Sequence, residues 1–352
     1  MIRVFDSQKT HYYQPGWTMV GGVFPENNKI QTDDGREWTY DQLIIAAGMI
    51  PNFNSIKGIN EALLDDQCPV GSIYSQDYAV KFSNLVDKFQ GGNVIFTEPL
   101  HPIKCAGAPQ KIIYLTEERI HNKKGIREKT NIEFYKAVNF LFSVPRYSSV
   151  LTQIIKQKNI KLNLKTNLLE VRSNKKIAVF EDLDTKSIIE RPFDLLHVVP
   201  PHIPPPFIRQ SGLGEGAGYV EVDKHTLNHK TYKNVWAIGD CSNLPTSKTV
   251  AAVISQTPIL VKNLIHCWRD KGSQQSMPGI YEGYTSCPIF TGNKKVILAE
   301  FKYDGIVDET FSNQQNIPFY SFYFMKKYIF PFAYWNLMPK GIWMGRNGIK
   351  LN

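Results

Sequence analysis

Val235-Trp236-Ala237-Ile238-Gly239-Asp240-Cys241, with Thr246-Ser247-Lys248-Thr249 close behind it, is the stretch that decides the fold. Four apolar residues make a buried-type strand, and Gly239-Asp240 ends it in a turn. The apolar run over 248–268 then predicts a long helix. A strand that stops at Gly-Asp and meets a helix N-terminus puts a carboxylate beside unbonded backbone N–H groups. That pairing suits a flavin: the acid bonds the ribityl chain, and the positive helix end stabilises the anionic reduced ring. A plain Gly-Asp turn with a Thr or Ser N-cap gives the same letters.

Upstream, residues 42–48 (Gln-Leu-Ile-Ile-Ala-Ala-Gly) form a second buried-type strand ending in small residues, where a chain can pass close to a cofactor or a neighbouring backbone. The chain opens on the strand-like Ile2-Arg3-Val4-Phe5, closed by Asp6. An acid there holds a nucleotide ribose in a Rossmann unit, or simply caps a turn. Asp33-Asp34-Gly35 marks a hairpin. Further on, the spacing predicts a helix over 75–90, a strand over 93–97, and a helix starting near Pro109. A strand over 131–135, a helix over 148–158 and a strand over 161–164 follow. This alternation implies an α/β fold with parallel strands. A meander is expected over 167–172, 176–180 and 195–199. The run Pro200-Pro201-His202-Ile203-Pro204-Pro205-Pro206 then breaks regular structure as a crossover.

Composition narrows the class. The 352 residues are 42% hydrophobic and 21% charged, enough for packed cores in two domains. No run of about 18 apolar residues predicts a transmembrane helix. A net charge of +9 suits an anionic membrane surface, a nucleic acid or an anionic substrate, but no nucleic-acid motif accompanies it. The five cysteines, at 68, 105, 241, 267 and 287, include no C-x-x-C pair, so no metal site is expected. The segment 319–335 is aromatic with basic interruptions. It reads as an interfacial segment with snorkelling lysines, or as an aromatic lid on the core.

Longer motifs carry a resemblance. His-Tyr-Tyr-Gln-Pro-Gly-Trp-Thr (11–18), Lys-Cys-Ala-Gly-Ala-Pro-Gln-Lys (104–111), Gly-Asp-Cys-Ser-Asn-Leu-Pro-Thr-Ser-Lys-Thr (239–249) and Tyr-Glu-Gly-Tyr-Thr-Ser-Cys-Pro (281–288) resemble mitochondrial-type sulfide:quinone oxidoreductase along essentially the whole chain. The resemblance implies two interleaved Rossmann-like dinucleotide-binding domains plus a C-terminal membrane-associating segment. It places the FAD-binding domain at 1–85 and 208–280, the second domain at 86–207, and the redox-cysteine and quinone segment at 281–352. FAD would be held by Asp6, Gln14, Gly48, Gly239, Asp240 and Lys248, with Cys105 and Cys287 as the redox pair. Sulfide would attack a bridge at Cys287 and leave a persulfide there, while Cys105 departs as thiolate and passes electrons to the flavin. Lys104 and Lys111 would lower the thiolate's pKa. The implied partners are hydrogen sulfide, a quinone, a small thiol or sulfite as sulfur acceptor, and the mitochondrial inner membrane, bound peripherally. Cys68, Cys241 and Cys267 are read as structural.

Independently of the resemblance, the strand over 93–97 is followed by Glu98-Pro99-Leu100-His101-Pro102. This is too bulky for the glycine turn that lets backbone approach a pyrophosphate, which argues against NAD(P)H as donor. The chain also departs from the family. The glycine-rich diphosphate turn expected before Asp6 is not seen, and Val23 joins Phe24 where the family has a further helix and strand. The expectation is therefore a flavin ring side intact by motif and an ADP side largely missing, with lowered stability in isolation. The alternative is a flavin-free relative that binds persulfide or a partner protein. An NADH dehydrogenase of the same superfamily is the weaker third reading.

Overall fold

The computed structural model describes residues 19–100, 102–121, 125–269, 277–311 and 314–347. Asp6, Gln14 and the aromatic motif at 11–18 lie outside the described residues.

A five-stranded parallel sheet forms one body. In spatial order its strands are Val70–Gly71, Leu195–His197, Gly92–Glu98, Thr130–Lys136 and Ile160–Asn163. The near-continuous apolar character of its central strands reflects burial on both faces. Helices Gln76–Lys88, Ala108–Arg119 and Pro145–Gln157 connect and cover them, two opening with proline in the first turn. A three-stranded antiparallel sheet, Thr166–Arg172, Ile177–Asp182 and Ile188–Pro192, packs alongside, with Phe180 stacked on Tyr135 at 4.1 Å between centroids.

Here the structure corrects the sequence reading of the meander. Its third strand is Ile188–Pro192, whose charged and proline-ended pattern hides it, while Leu195–His197 joins the parallel sheet instead. The proline run is not wholly irregular either. His202–Ile203 pairs antiparallel with Ile50–Pro51, so the two crossings between bodies lie side by side.

The other body holds the parallel pair Leu43–Ile45 and Val235–Ala237, helix Val250–Arg269, and a three-stranded antiparallel sheet with the expected hairpin. Trp236, Leu213, Val220 and Leu227 centre its core. That helix is the one described helix long and apolar enough to cross a membrane by length and composition. It is amphipathic, however. Gln256, Leu260 and Asn263 are buried, and the Asn263 side chain bonds to the backbone at Thr226 and Gly279, tying the helix to the core.

The hairpin Thr285–Gly292 and Lys295–Phe301 lies against helix Ala108–Arg119, with Cys287 and Ile289 packed into the apolar core of the first body. The chain closes in a helical segment, Tyr320–Phe324 running through a π-turn at Met325–Ile329 into Phe330–Asn336.

Candidate functional site

Two distant pieces of chain meet at the cysteines. Strand Gly92–Glu98 ends in a buried ion pair, Glu98 to Lys136 at 2.6 Å across adjacent parallel strands. No tight glycine turn follows; the chain runs on to Cys105, three residues before helix Ala108–Arg119. That run is pinned by the Cys105 N–H, which donates to the Lys248 carbonyl at 2.8 Å, and by Ala108 N–H to the Cys105 carbonyl at 2.6 Å. Cys105 takes a left-handed φ of 49°. Cys287 arrives from the hairpin, and its Sγ lies 4.0 Å from that of Cys105.

The pair is electrostatically asymmetric. A hydrogen bond from Cys287, followed by the charge and hydrogen bond of Lys111, holds the Cys105 thiol well below the ordinary range against its burial. Lys111 Nζ donates to Cys105 Sγ at 3.1 Å. Burial pulls Lys111 down, but the charges of Cys105 and Cys287 outweigh it and keep the ammonium protonated. Cys287, which donates to Cys105 and is buried, is pushed well above the ordinary range. Of the pair, Cys105 is the one poised toward thiolate and Cys287 the one poised toward thiol.

Sequence reasoning missed Lys326. It sits in the aromatic segment whose lysines were expected to reach outward. One helical step separates it from Lys327, and the two point differently. Lys327 lies over the rings of Tyr323 and Tyr328. Lys326 is partly buried, and burial with repulsion from Lys111 brings its pKa to about 8, while both cysteines favour its charge. Adjacent residues of a helical segment face different ways, but which of the two turns inward is set by the tertiary fold. Tyr74 was also missed. It is half-buried, and its hydroxyl donates to the Lys104 carbonyl at 3.0 Å.

The expected cofactor residues lie around the same crossing. Ala46 and Ala47 are exposed just beyond strand Leu43–Ile45, and Gly48 has φ +70° with open space where a Cβ would be. Gly239 (φ +74°) and Asp240 follow strand Val235–Ala237 in a single tight turn. Burial raises the Asp240 carboxyl against the pull of Lys248 and Lys104. Lys248 is buried, donates to the Ser242 carbonyl at 2.6 Å, and is pulled down to about 8 by burial. Thr249 caps the following helix by accepting from Ala252 N–H, and shares a hydroxyl contact of 2.8 Å with Thr285 on the Cys287 hairpin. Beside these residues opens a cavity of about 700 Å³ whose lining includes Ile103, Tyr219, Thr246, Lys248 and Lys302. Cys241 and Cys267 are buried, Cys241 in the turn and Cys267 on the long helix, and Cys68 is buried away from the pair.

An open groove floored by small residues, a desolvated carboxylate and a helix N-terminus fit the ring and ribityl side of a flavin. The described residues include no glycine turn for a diphosphate.

No protein-family model matches the chain. It is 41% identical to the mitochondrial sulfide:quinone oxidoreductase of Schizosaccharomyces pombe over 99% of this chain and 83% of that one. It is 39% identical to that of Mus musculus over 98% of this chain and 82% of that one. The solved sulfide:quinone oxidoreductase of Aquifex aeolicus superposes with a TM-score of 0.72 at 15% identity, covering 90% of this chain and 74% of that one, a likeness of fold.

Proposed function

This chain belongs to the sulfide:quinone oxidoreductase family, and on that premise we propose that it oxidises hydrogen sulfide, passing two electrons through Cys105 and Cys287 to FAD and on to a quinone. The observation that carries the reading is the thiol pair itself: two sulfurs 4.0 Å apart, one flanked by an ammonium at 3.1 Å.

The cycle starts from the Cys105–Cys287 disulfide. Hydrosulfide attacks Cys287 Sγ, forming an S–S bond there as the bond to Cys105 breaks. Cys287 becomes a persulfide and Cys105 keeps the bonding electron pair as thiolate. Lys111 makes Cys105 the better leaving group, which directs attack to Cys287. A nucleophilic acceptor, a small thiol or sulfite, then removes the outer sulfur and leaves Cys287 as thiolate. Re-forming the disulfide from two thiolates releases two electrons. Bound FAD supplies the acceptor for that pair and the route to quinone. Gly48, Gly239, Asp240 and Lys248 are the described residues we assign to holding it, with Asp6 and Gln14 assigned from the sequence alone. The 1–85/208–280, 86–207 and 281–352 division remains our reading of the domains.

The exposed aromatic face of the C-terminal segment, with Phe332 and Trp335 outward and Trp335 73% exposed, supports peripheral contact with a membrane that delivers quinone. The names of the relatives support a mitochondrial location.

The test is a visible spectrum of the purified, FAD-supplemented chain under argon. The reading expects a flavin band that bleaches with sulfide and returns with quinone. A folded protein that takes up no FAD, or FAD that sulfide does not reduce, overturns it.

A further inference from the structure

The peptide unit between Lys104 and Cys105 is held at both ends. Its N–H, on Cys105, donates to the Lys248 carbonyl at 2.8 Å. Its C=O, on Lys104, accepts from the Tyr74 hydroxyl at 3.0 Å. Lys104 and Lys248 form a parallel bridge between the cysteine loop and the stretch before helix Val250–Arg269. Just past this unit Cys105 takes its left-handed φ of 49°. A residue with a Cβ is strained there, and such a conformation persists only where the surroundings over-determine it. The angle φ is the rotation about the bond from this peptide nitrogen to the Cys105 Cα. The plane of this one unit therefore bears directly on where the thiol points. It points at Cys287, with 4.0 Å between the sulfurs.

Tyr74 is itself fixed in place. It follows the edge strand Val70–Gly71 of the parallel sheet. Its N–H donates to Ser72 Oγ at 3.2 Å, and the N–H of Ile73 donates to Nε2 of the buried His197 on the neighbouring strand at 3.1 Å. The His202 ring meets the Tyr74 ring edge-on, with centroids 5.0 Å apart. The tie on Lys104 thus comes from the sheet, not from the cysteine loop or the hairpin. Burial, then the charges of Cys105, Glu98 and Cys287, push the Tyr74 phenol well above its ordinary range, so it stays a neutral donor at physiological pH.

We infer that Tyr74 is a positioning residue for Cys105: its hydroxyl holds the Lys104–Cys105 peptide unit from one side while the Lys248 carbonyl holds it from the other, and the strained backbone they fix aims the Cys105 thiol at Cys287. This rests on the cysteine-pair reading above.

The experiment compares full-length wild type with Tyr74→Phe, which keeps the ring and removes only the hydroxyl. The reduced protein is closed with a small disulfide reagent. The reagent S–S bond breaks, the Cys105–Cys287 bond forms, and two reagent thiols carry off the two electrons and two protons. In Tyr74→Phe closure slows about fivefold, the rate equivalent of one neutral hydrogen bond. The substitution removes no charge, and Cys287, Lys111, Lys326 and Asp240 all still face Cys105. The Cys105 alkylation inflection nevertheless moves to higher pH, because the hydrogen bond from Cys287 is the largest cause of its lowering and depends on aim. Tyr74→Met stands in if the phenylalanine variant does not fold. A variant that closes and titrates as wild type does overturns the inference, and a lower melting temperature alongside would make the hydroxyl a contact of the fold alone. Wild-type cysteines that do not close overturn the cysteine-pair reading itself, and this inference with it.

Discussion

A Cβ placed on Gly107 would stand 2.4 Å from the Sγ of Cys287. The glycine is required by close approach, not by backbone conformation, since its φ of −85° is open to any residue. It lets the hairpin slide against the start of helix Ala108–Arg119 far enough to bring the two sulfurs together. Gly107→Ala is expected to cost about 1–3 kcal/mol, as overpacked cores do, and to slow closure of the disulfide by a mild oxidant at least about tenfold, the rate cost of about 1.4 kcal/mol. Urea denaturation and a timed thiol titration measure both. Full stability with wild-type closure would show that the hairpin can give way.

Lys111→Met separates the two influences on Cys105. The largest is the hydrogen bond from Cys287, and Lys111 follows. Removing the ammonium leaves burial less opposed, so the Cys105 thiol must titrate at higher pH. Alkylation rate against pH should show its inflection moving up, and sulfide-driven flavin reduction at neutral pH should fall, because a more basic Cys105 thiolate leaves less readily. Cys287→Ala should move the inflection further. A Lys111→Met profile that overlays wild type would mean the lysine is not what sets the thiolate.

Much of this was legible beforehand for physical reasons. The strand ending at Gly239-Asp240, the helix behind it and the parallel alternation follow from period and breaker residues alone, and the structure has them. Strand Ile188–Pro192 was hidden because it is half-exposed on a small sheet, where charged residues replace alternation. Lys326 was hidden for a different reason. Whether a lysine in an aromatic helix snorkels or turns inward depends on which face the tertiary fold covers, and the segment's composition is the same either way. The cysteine pairing depends on a contact between positions 182 apart, which no local pattern encodes.

Lys248 gives the apoprotein an alkaline signature. Its pKa falls from 10.5 unfolded to about 8 folded because the ammonium is buried. Between those values the unfolded chain holds a proton that the folded one lacks, so stability rises with pH. The gain is absent below pH 8 and should reach about 1 kcal/mol by pH 9 from this group alone. Cys105 and Lys326 are lowered as well and act in the same direction there. The diagnostic is therefore the difference from Lys248→Met, whose chemical-denaturation midpoints should climb less steeply between pH 8 and 9. Equal slopes would place the Lys248 pKa near its free value.

The membrane reading turns on which residues the C-terminal helix keeps for itself. Phe322 and Ala333 are buried, anchoring the segment, while Phe324, Tyr328, Phe332 and Trp335 face outward. Lys327 lies over two of the rings, where it can meet lipid phosphate with its stem on aromatic surface. Apolar exposure of this kind on a folded anchor supports the proposed contact with a lipid surface. Phe332→Ser with Trp335→Ser removes two exposed rings and no buried one, so the melting temperature should hold. Co-sedimentation with anionic vesicles should drop at least about tenfold, as about 1.4 kcal/mol of lost burial would give. Turnover with a water-soluble quinone should persist while turnover with a long-chain quinone in vesicles falls. Undiminished vesicle binding by the folded double variant would move the membrane contact elsewhere, and the exposed face of helix Val250–Arg269, with Val261, Ile265 and Trp268 outward, would be the next surface to cut.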